Sequence, residues 1–225
     1  MARVVIFGTG RGATVAYKYL TKDSQHEVCA FTVESEFLEK SEFNNLPVTD
    51  FHSIQSTYPP DQFQLFVPLG SQELNKLRYR KFRACKDKGY KLASYVSSTI
   101  PFANDLEIGE NCFILENNTI NFDVKIGDNV TIWSGNQIGD CSIVSDHCWI
   151  TSHVCMAGQV TIMPFCFIGI NASISNGVTV AESNFIGANA LITKSTAPQE
   201  VYLVSQTPKA AFASDKFVSM FNKYF

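Results

Sequence analysis

Nowhere does this chain of 225 residues carry an apolar run close to the roughly 20 residues a helix needs to cross a bilayer. Its first residues enter a strand-like run at once, with no charged-then-apolar leader. A basic excess is missing too: the formal net charge is −3, so neither nucleic acid nor an anionic membrane meets a complementary field. The seven cysteines show no CxxC spacing, which argues against a zinc site and against a disulfide framework. Of four histidines, His26 and His52 lie early and His147 and His153 late, too few together for a three-histidine metal centre. These absences predict a cytoplasmic protein with reduced thiols, no metal, no membrane partner and no nucleic acid.

What the chain has is a period of six. Every sixth residue from Val96 to Ile192 is apolar, seventeen positions without an insertion, including Phe102, Ile108, Ile138, Met156 and Ile186. Neither the period of 2 of a strand nor the period of 3.6 of a helix produces this. A second inward site follows four residues after each, filled by smaller side chains such as Cys112, Val130, Ser142, Cys148, Val154, Cys166, Ala172 and Ala190. The three cysteines read as reduced core fillers. Glycine often follows the large residue, as at Gly109, Gly127, Gly139, Gly169 and Gly187, where a tight turn favours a residue without steric penalty. Three hexads make a triangular coil of eighteen residues, so the stretch predicts a β-solenoid of about five coils, each burying its neighbour's face.

The first ninety or so residues obey a different grammar. Arg3-Val4-Val5-Ile6-Phe7 reads as a buried strand, residues 8–13 as a G-x-G-x-x-A turn, residues 14–20 as a helix and residues 27–33 as a second strand. Such a turn lets backbone approach a phosphate at the helix N-terminus, and an acid about twenty residues on, Glu34, can accept hydrogen bonds from a ribose or base. One further strand at residues 64–69 and one helix at residues 73–88 follow before residues 91–95 lead into the solenoid. Half a dinucleotide fold suits a mononucleotide better than a nicotinamide cofactor. Gly70 and Ser71 stand at the carboxyl edge where open parallel sheets bind ligands, although Ser71 also reads as a helix N-cap. Arg78, Arg80, Lys81, Arg83, Lys86 and Lys88 read as a solvated helix face.

The glycine turn at Gly8 to Ala13, the Pro68-Leu69-Gly70-Ser71 edge, the hexads and the stretch from Gln159 to Asn171 together resemble the bacterial hexapeptide-repeat sugar acyltransferases. That group includes the bacillosamine and perosamine N-acetyltransferases and the sialic acid O-acetyltransferases. The resemblance implies an α/β Rossmann-like half domain over residues 1–92, an all-β left-handed parallel β-helix over 93–195 and a C-terminal cap over 196–225. It also implies a homotrimer that takes acetyl-coenzyme A between subunits and a nucleotide-linked sugar on the first domain, through Gly8, Gly10, Arg11, Gly12, Glu34, Gly70 and Ser71. Gly158, Gly187, Ala188, Lys194 and Lys209 are the implied coenzyme contacts, and the family's general base, usually a histidine, falls on Asp140. Its usual polar neighbour falls on Cys141, and the N–H that steadies the thioester carbonyl falls on Gly158, eighteen residues after Asp140.

A carboxylate is a poor base for a hydroxyl but can orient an ammonium and take its proton after attack. Asp140 therefore favours N-acetylation of a nucleotide-linked amino sugar, for surface polysaccharide or glycan assembly, over sugar O-acetylation. A non-catalytic paralogue that retains ligand binding is the alternative from another class. Asp140 also reads as a plain turn residue, in which case His147 or His153, on different edges, would carry the base.

Overall fold

The computed structural model describes residues 1–101 and 103–222, without the side chains of Asn104 and Phe221. Phe102, expected to point inward, and Tyr224, expected on a terminal apolar face, lie outside the described residues.

The first domain is a five-stranded sheet in the order β3-β4-β2-β1-β5. Its strands are β1 Arg3–Phe7, β2 Glu27–Val33, β3 Glu42–Phe43, β4 Leu46–Asp50 and β5 Gln64–Phe66, all parallel except β3. The expected count of three parallel strands is corrected to four: β4 pairs with β2 after a hairpin turning at Asn44 and Asn45, both left-handed. Pro47 and a half-buried, mixed sequence hid this strand, since a proline argues against an interior strand and the alternation is weak. Helix α1, Arg11–Lys22, turns Ala13, Ala16 and Leu20 inward at helical spacing. That face shares a core with Val4, Ile6, Phe31 and Phe66 and with Phe113 and Leu115 of the solenoid. Helix α2 covers the other sheet face through Phe82 and Cys85. It runs Lys76–Asp87 and does not start at residue 73, because Glu73, Leu74 and Asn75 are all left-handed (φ 53°, 51° and 69°). Asn75, not Ser71, holds the cap position.

From Tyr95 the chain winds into a left-handed parallel β-helix of two-residue strands in three faces. The first face stacks five strands from Glu107–Ile108 to Thr179–Val180, and the third stacks five from Thr119–Ile120 to Leu191–Ile192. The second stacks seven, from Tyr95–Val96 to Val201–Tyr202. Register is eighteen residues between successive repeat strands, as in Ile138 against Met156, and sixteen where Phe185–Ile186 meets Val201–Tyr202. The inward sites at Ile114, Ile132, Ile138, Ile150, Ile168 and Ile186, with Cys112, Cys148 and Cys166 beside them, form one continuous core. Described cysteines are all free thiols.

The repeat glycines serve a purpose other than the expected turn conformation. A Cβ on Gly139 would collide with the Ala157–Gly158 backbone of the next coil, and Gly139 has no positive φ. The left-handed turn falls two residues later, on Asn111, Asn129, Cys141 and His147. Asparagine tolerates that conformation best among non-glycine residues.

The joint between domains centres on Arg78, which is not on a solvated face as expected but 1% exposed. Its Nε donates to Asn129 Oδ1 (3.1 Å), Nη1 to the Gly70 carbonyl (3.1 Å) and Asn75 Oδ1 (3.2 Å), and Nη2 to the carbonyls of Asn129 (3.1 Å) and Cys148 (3.2 Å). No carboxylate pairs with it among the described residues. Burial pushes the guanidinium down to about 10, so it stays charged at neutral pH.

Val201–Tyr202 extends the second face by pairing with Phe185–Ile186. Beyond it, nearly every described residue to 222, including helix α3 (Ser214–Phe221), is exposed. Within the expected cap over 196–225, the Val201–Tyr202 strand covers the last coil, and the described residues of α3 are exposed in the single subunit. Among the described residues no helix is long and apolar enough to cross a membrane.

Candidate functional site

The turn between β1 and α1 opens on a cavity of about 580 Å³ between the two domains. One wall is Gly8, Gly10, Arg11, Gly12 and Ala13, the second is Pro68, Leu69, Gly70 and Gln72, and the third is the second solenoid face, through Phe113, Thr131, Trp133 and Trp149. The glycines differ in purpose. A Cβ on Gly12 would sit on the Pro68 carbonyl oxygen, so this glycine lets α1 approach the end of the β5 segment. A Cβ on Gly10 would meet nothing within 4 Å. Gly10 is extended, no side chain caps α1 and no acid lies in its first turn. Backbone N–H groups with a positive helix end therefore face open space, the arrangement that receives a phosphate.

Trp133 and Trp149 stand one coil apart, ring centres 6.1 Å, as an aromatic floor. The Arg78 guanidinium lies 5.2 Å from the Trp149 ring centre on the other side. The two tryptophans are sixteen residues apart and stand on the same face in successive coils, Trp149 in register with Thr131, two residues before Trp133. Of the expected sugar-nucleotide contacts, Gly8, Gly10, Arg11, Gly12 and Gly70 line the cavity and Ser71 does not. Glu34 is likewise absent from the lining and forms an ion pair with Lys81 of α2.

The expected acyl-transfer residues occupy three different corners of the triangular coil. Asp140 stands on the corner between the third and first faces, exposed, with Gly158 stacked one coil beyond. A Cβ on Gly158 would come 2.8 Å from Asp140 Oδ1, so the missing side chain keeps the carboxylate and the Gly158 backbone in touch. The Gly158 N–H has no hydrogen-bond acceptor among the described residues, while its carbonyl accepts from Asn176 Nδ2 and from the Gly177 N–H (3.1 Å). Asn176 and Lys194 continue the same column at eighteen-residue steps, and Lys194 is exposed.

His147 is on the corner between the first and second faces, buried against α2 between Tyr79 (4.7 Å) and Phe165 (4.9 Å). Asn129 Oδ1 already accepts from Arg78 and from Asn111 Nδ2 (2.8 Å), so the Asn129 amide nitrogen donates to His147 Nδ1 (3.1 Å). That fixes His147 as a neutral ring with its proton on Nε2, and burial holds its pKa below the ordinary histidine value. It is a wedge in the domain joint and out of reach of a substrate. His153 is on the third corner, exposed, its ring lying over Gly135. Gly187 is buried beneath the Tyr202 carbonyl, whereas Ala188 beside it is exposed on the His153 corner. Lys209 lies in the exposed C-terminal segment.

Within one subunit, the cavity on the second face and the Asp140–Gly158 corner are on opposite sides of the triangle. Ala188 and Lys194 are likewise on different corners.

Residues 105–140 match the family model described as bacterial transferase hexapeptide, six repeats. No curated protein matches the chain. Among solved structures, the acetyltransferase domain of PglB from Neisseria gonorrhoeae FA1090 is similar, with a TM-score of 0.76 at 16% identity over 89% of this chain and 96% of that one. The same domain in complex with acetyl coenzyme A gives 0.76 at 17% over 88% and 94%. PerB from Caulobacter crescentus, in complex with CoA and GDP-perosamine, gives 0.74 at 23% over 88% and 91%. At these identities the likeness is one of fold, and it spans both domains.

Proposed function

We propose that this protein is an acetyl-coenzyme A-dependent acyltransferase that acetylates the amino group of a nucleotide-linked deoxyamino sugar for surface polysaccharide or glycan assembly, working as a homotrimer. The observation that carries the reading is the pairing of two half-sites: a phosphate-ready helix end over an aromatic floor, and an exposed carboxylate stacked on a glycine with a free N–H. Two of the solved structures of similar fold are acetyltransferases in complex with acetyl coenzyme A and with CoA and GDP-perosamine.

The diphosphate lies at the α1 N-terminus, and the sugar extends over Trp133 and Trp149, whose faces suit the apolar side of a pyranose ring. Its amine meets Asp140 and Gly158 of a neighbouring copy. Asp140 attracts the ammonium and, once the neutral amine has attacked the thioester carbonyl, takes the released proton. The Gly158 N–H donates to the oxygen that becomes anionic at that step. The thiolate of coenzyme A is the leaving group. Lys194 stands three coils from Asp140, roughly 14 Å at sheet spacing, where a cation can pair with the coenzyme phosphates.

The test is release of coenzyme A thiol with a panel of nucleotide-linked amino sugars and their hydroxyl counterparts. Turnover with amines and none with hydroxyls is expected. Hydroxyl acceptors turning over faster would make it an O-acetyltransferase. A second reading has one observation in its favour: no histidine stands on the corner of Gly158. A non-catalytic binder predicts that both ligands bind and no acceptor releases thiol.

A further inference from the structure

A second cleft adjoins the glycine turn on the side away from the solenoid. It encloses about 210 Å³ and is lined by Thr9, Phe37, Glu39, Lys40, Glu42 and Phe43. Thr9 is the residue between Gly8 and Gly10, so the phosphate-ready turn separates this cleft from the larger cavity. In a sheet of this order a ligand held at the first turn sends its nucleoside toward the end of β2 and its other half toward the end of β5. The cleft lies at the end of β2, and the aromatic floor lies on the β5 side. Its walls are anchored: Phe43 of β3 packs edge-on against Phe31 of β2 (5.0 Å), and β4 holds the hairpin in register with β2.

We infer that this cleft is the nucleobase subsite and that its base is guanine. The inference rests on the nucleotide-sugar reading above and names its nucleotide. Phe37, 59% exposed at the rim, presents a large aromatic face with room for a base against it. Glu39, Lys40 and Glu42 form no ion pair among the described residues, in contrast to Glu34, which Lys81 occupies.

A carboxylate accepts two parallel hydrogen bonds when a base offers two adjacent donors. Guanine does so with N1–H and its exocyclic amine, and its O6 is an acceptor beside them for an ammonium such as Lys40. Uracil and thymine offer one donor flanked by two carbonyl oxygens, which a carboxylate repels. Adenine and cytosine offer an amine beside a bare ring acceptor. A rim holding two glutamates and one lysine can meet guanine with a bidentate carboxylate and an ammonium on O6, a match that rests on the adjacent donors only guanine offers among the common bases.

The test is calorimetric titration of the full chain with GDP, IDP, UDP and dTDP. GDP should bind about 10-fold more tightly than UDP or dTDP, and IDP, which lacks the exocyclic amine, should fall between. Of the single variants Glu39→Gln and Glu42→Gln, at least one should weaken GDP about 10-fold while leaving UDP within about 2-fold, with an unchanged melting temperature because both side chains are exposed. UDP or dTDP binding as tightly as GDP would overturn the base assignment and leave the nucleotide-sugar reading standing. So would GDP affinity unmoved in both variants. If no nucleoside diphosphate binds, the nucleotide-sugar reading fails and this inference fails with it.

Discussion

Replacing Arg78 by methionine, which keeps an unbranched side chain and removes the guanidinium, should pull the two domains apart before either unfolds. Three acceptors within 3.2 Å lose their sole donor, the Gly70 carbonyl, Asn75 Oδ1 and the Asn129 carbonyl, and the His147 carbonyl loses a long contact of 3.5 Å. The Cys148 carbonyl and Asn129 Oδ1 keep a second one, from the Thr131 N–H and from Asn111. Gly70 borders the open cavity and can be hydrated, so two fully buried acceptors are stranded. At about 1–3 kcal/mol for each stranded group, reduced by relief of the buried charge, the loss should be roughly 2–5 kcal/mol. Lysine at the same position keeps the charge but cannot fork to both domains, so Arg78→Lys should recover less than half of it. The assay is urea unfolding followed by tryptophan emission, since Trp149 lies directly under Arg78 and Trp133 beside it. The variant should show an early red shift from undocking, then unfolding of the solenoid at the wild-type midpoint by far-UV circular dichroism. A single transition within about 0.5 kcal/mol of wild type would refute the assignment of the joint to this residue.

The two glycines of the first turn should separate fold from binding. Gly12→Ala should destabilise by about 1–3 kcal/mol through overpacking against Pro68, whereas Gly10→Val should leave the melting temperature within a degree or two and raise the sugar-nucleotide KM without touching coenzyme affinity. Equal behaviour of the pair would be inconsistent with the turn geometry. Asp140→Asn should lower kcat by roughly 10- to 100-fold, about 1.4–2.8 kcal/mol, with the rate still rising with pH as the acceptor amine deprotonates. Complete loss of turnover together with that pH limb would make Asp140 an obligatory base, and no change would make it a turn residue. Folding should also be acid-sensitive through His147. Its folded pKa is depressed by burial, so its contribution is complete above the ordinary histidine pKa of about 6.5 and shrinks as pH falls below that, when the unfolded chain takes up the proton first. His147→Asn, placing at this left-handed corner the residue that occupies it one and two coils earlier, should flatten the dependence of the urea midpoint between pH 7.5 and 5, and an unchanged slope would assign it to other groups.

The solenoid was legible because its signal is redundant: Ile126, Ile132 and Ile138 each make the same statement about period and inwardness. The glycine turn was legible for a different reason, since a β-turn-α unit is local and each of its residues lies within a dozen of the next. Much of what escaped was set by contacts across 47 residues or more. Arg78 resembles Arg80 and Lys81 in sequence, and nothing nearby marks it as the one whose acceptors are Asn129 and Cys148. The Asn111, Asn129 and His147 column was visible as a period, but which corner the first domain covers is a property of the joint and not of the repeat. The ion pair of Glu34 was not legible, because its position in a βαβ unit says nothing of Lys81 arriving from a later helix. The C-terminal segment carries Phe212, Phe217 and Met220, apolar as a cap would be, yet all three are exposed in the single subunit.

The same joint sets where this protein can change length. Asn111, Asn129, the Cys148 carbonyl and the Cys166 carbonyl each bond the first domain, the last through Asn75 Nδ2 (3.1 Å), so the small domain spans four successive coils. It acts as a ruler laid along the solenoid. Inserting or deleting one coil inside the measured stretch would shift every later mark by about 4.8 Å, more than a hydrogen bond can absorb. A coil duplicated after Cys166 would move none of them. Growth and shortening are thereby confined to the far end, beyond the last mark, and descendants of this chain can vary in coil number there while the cavity between the domains keeps its shape.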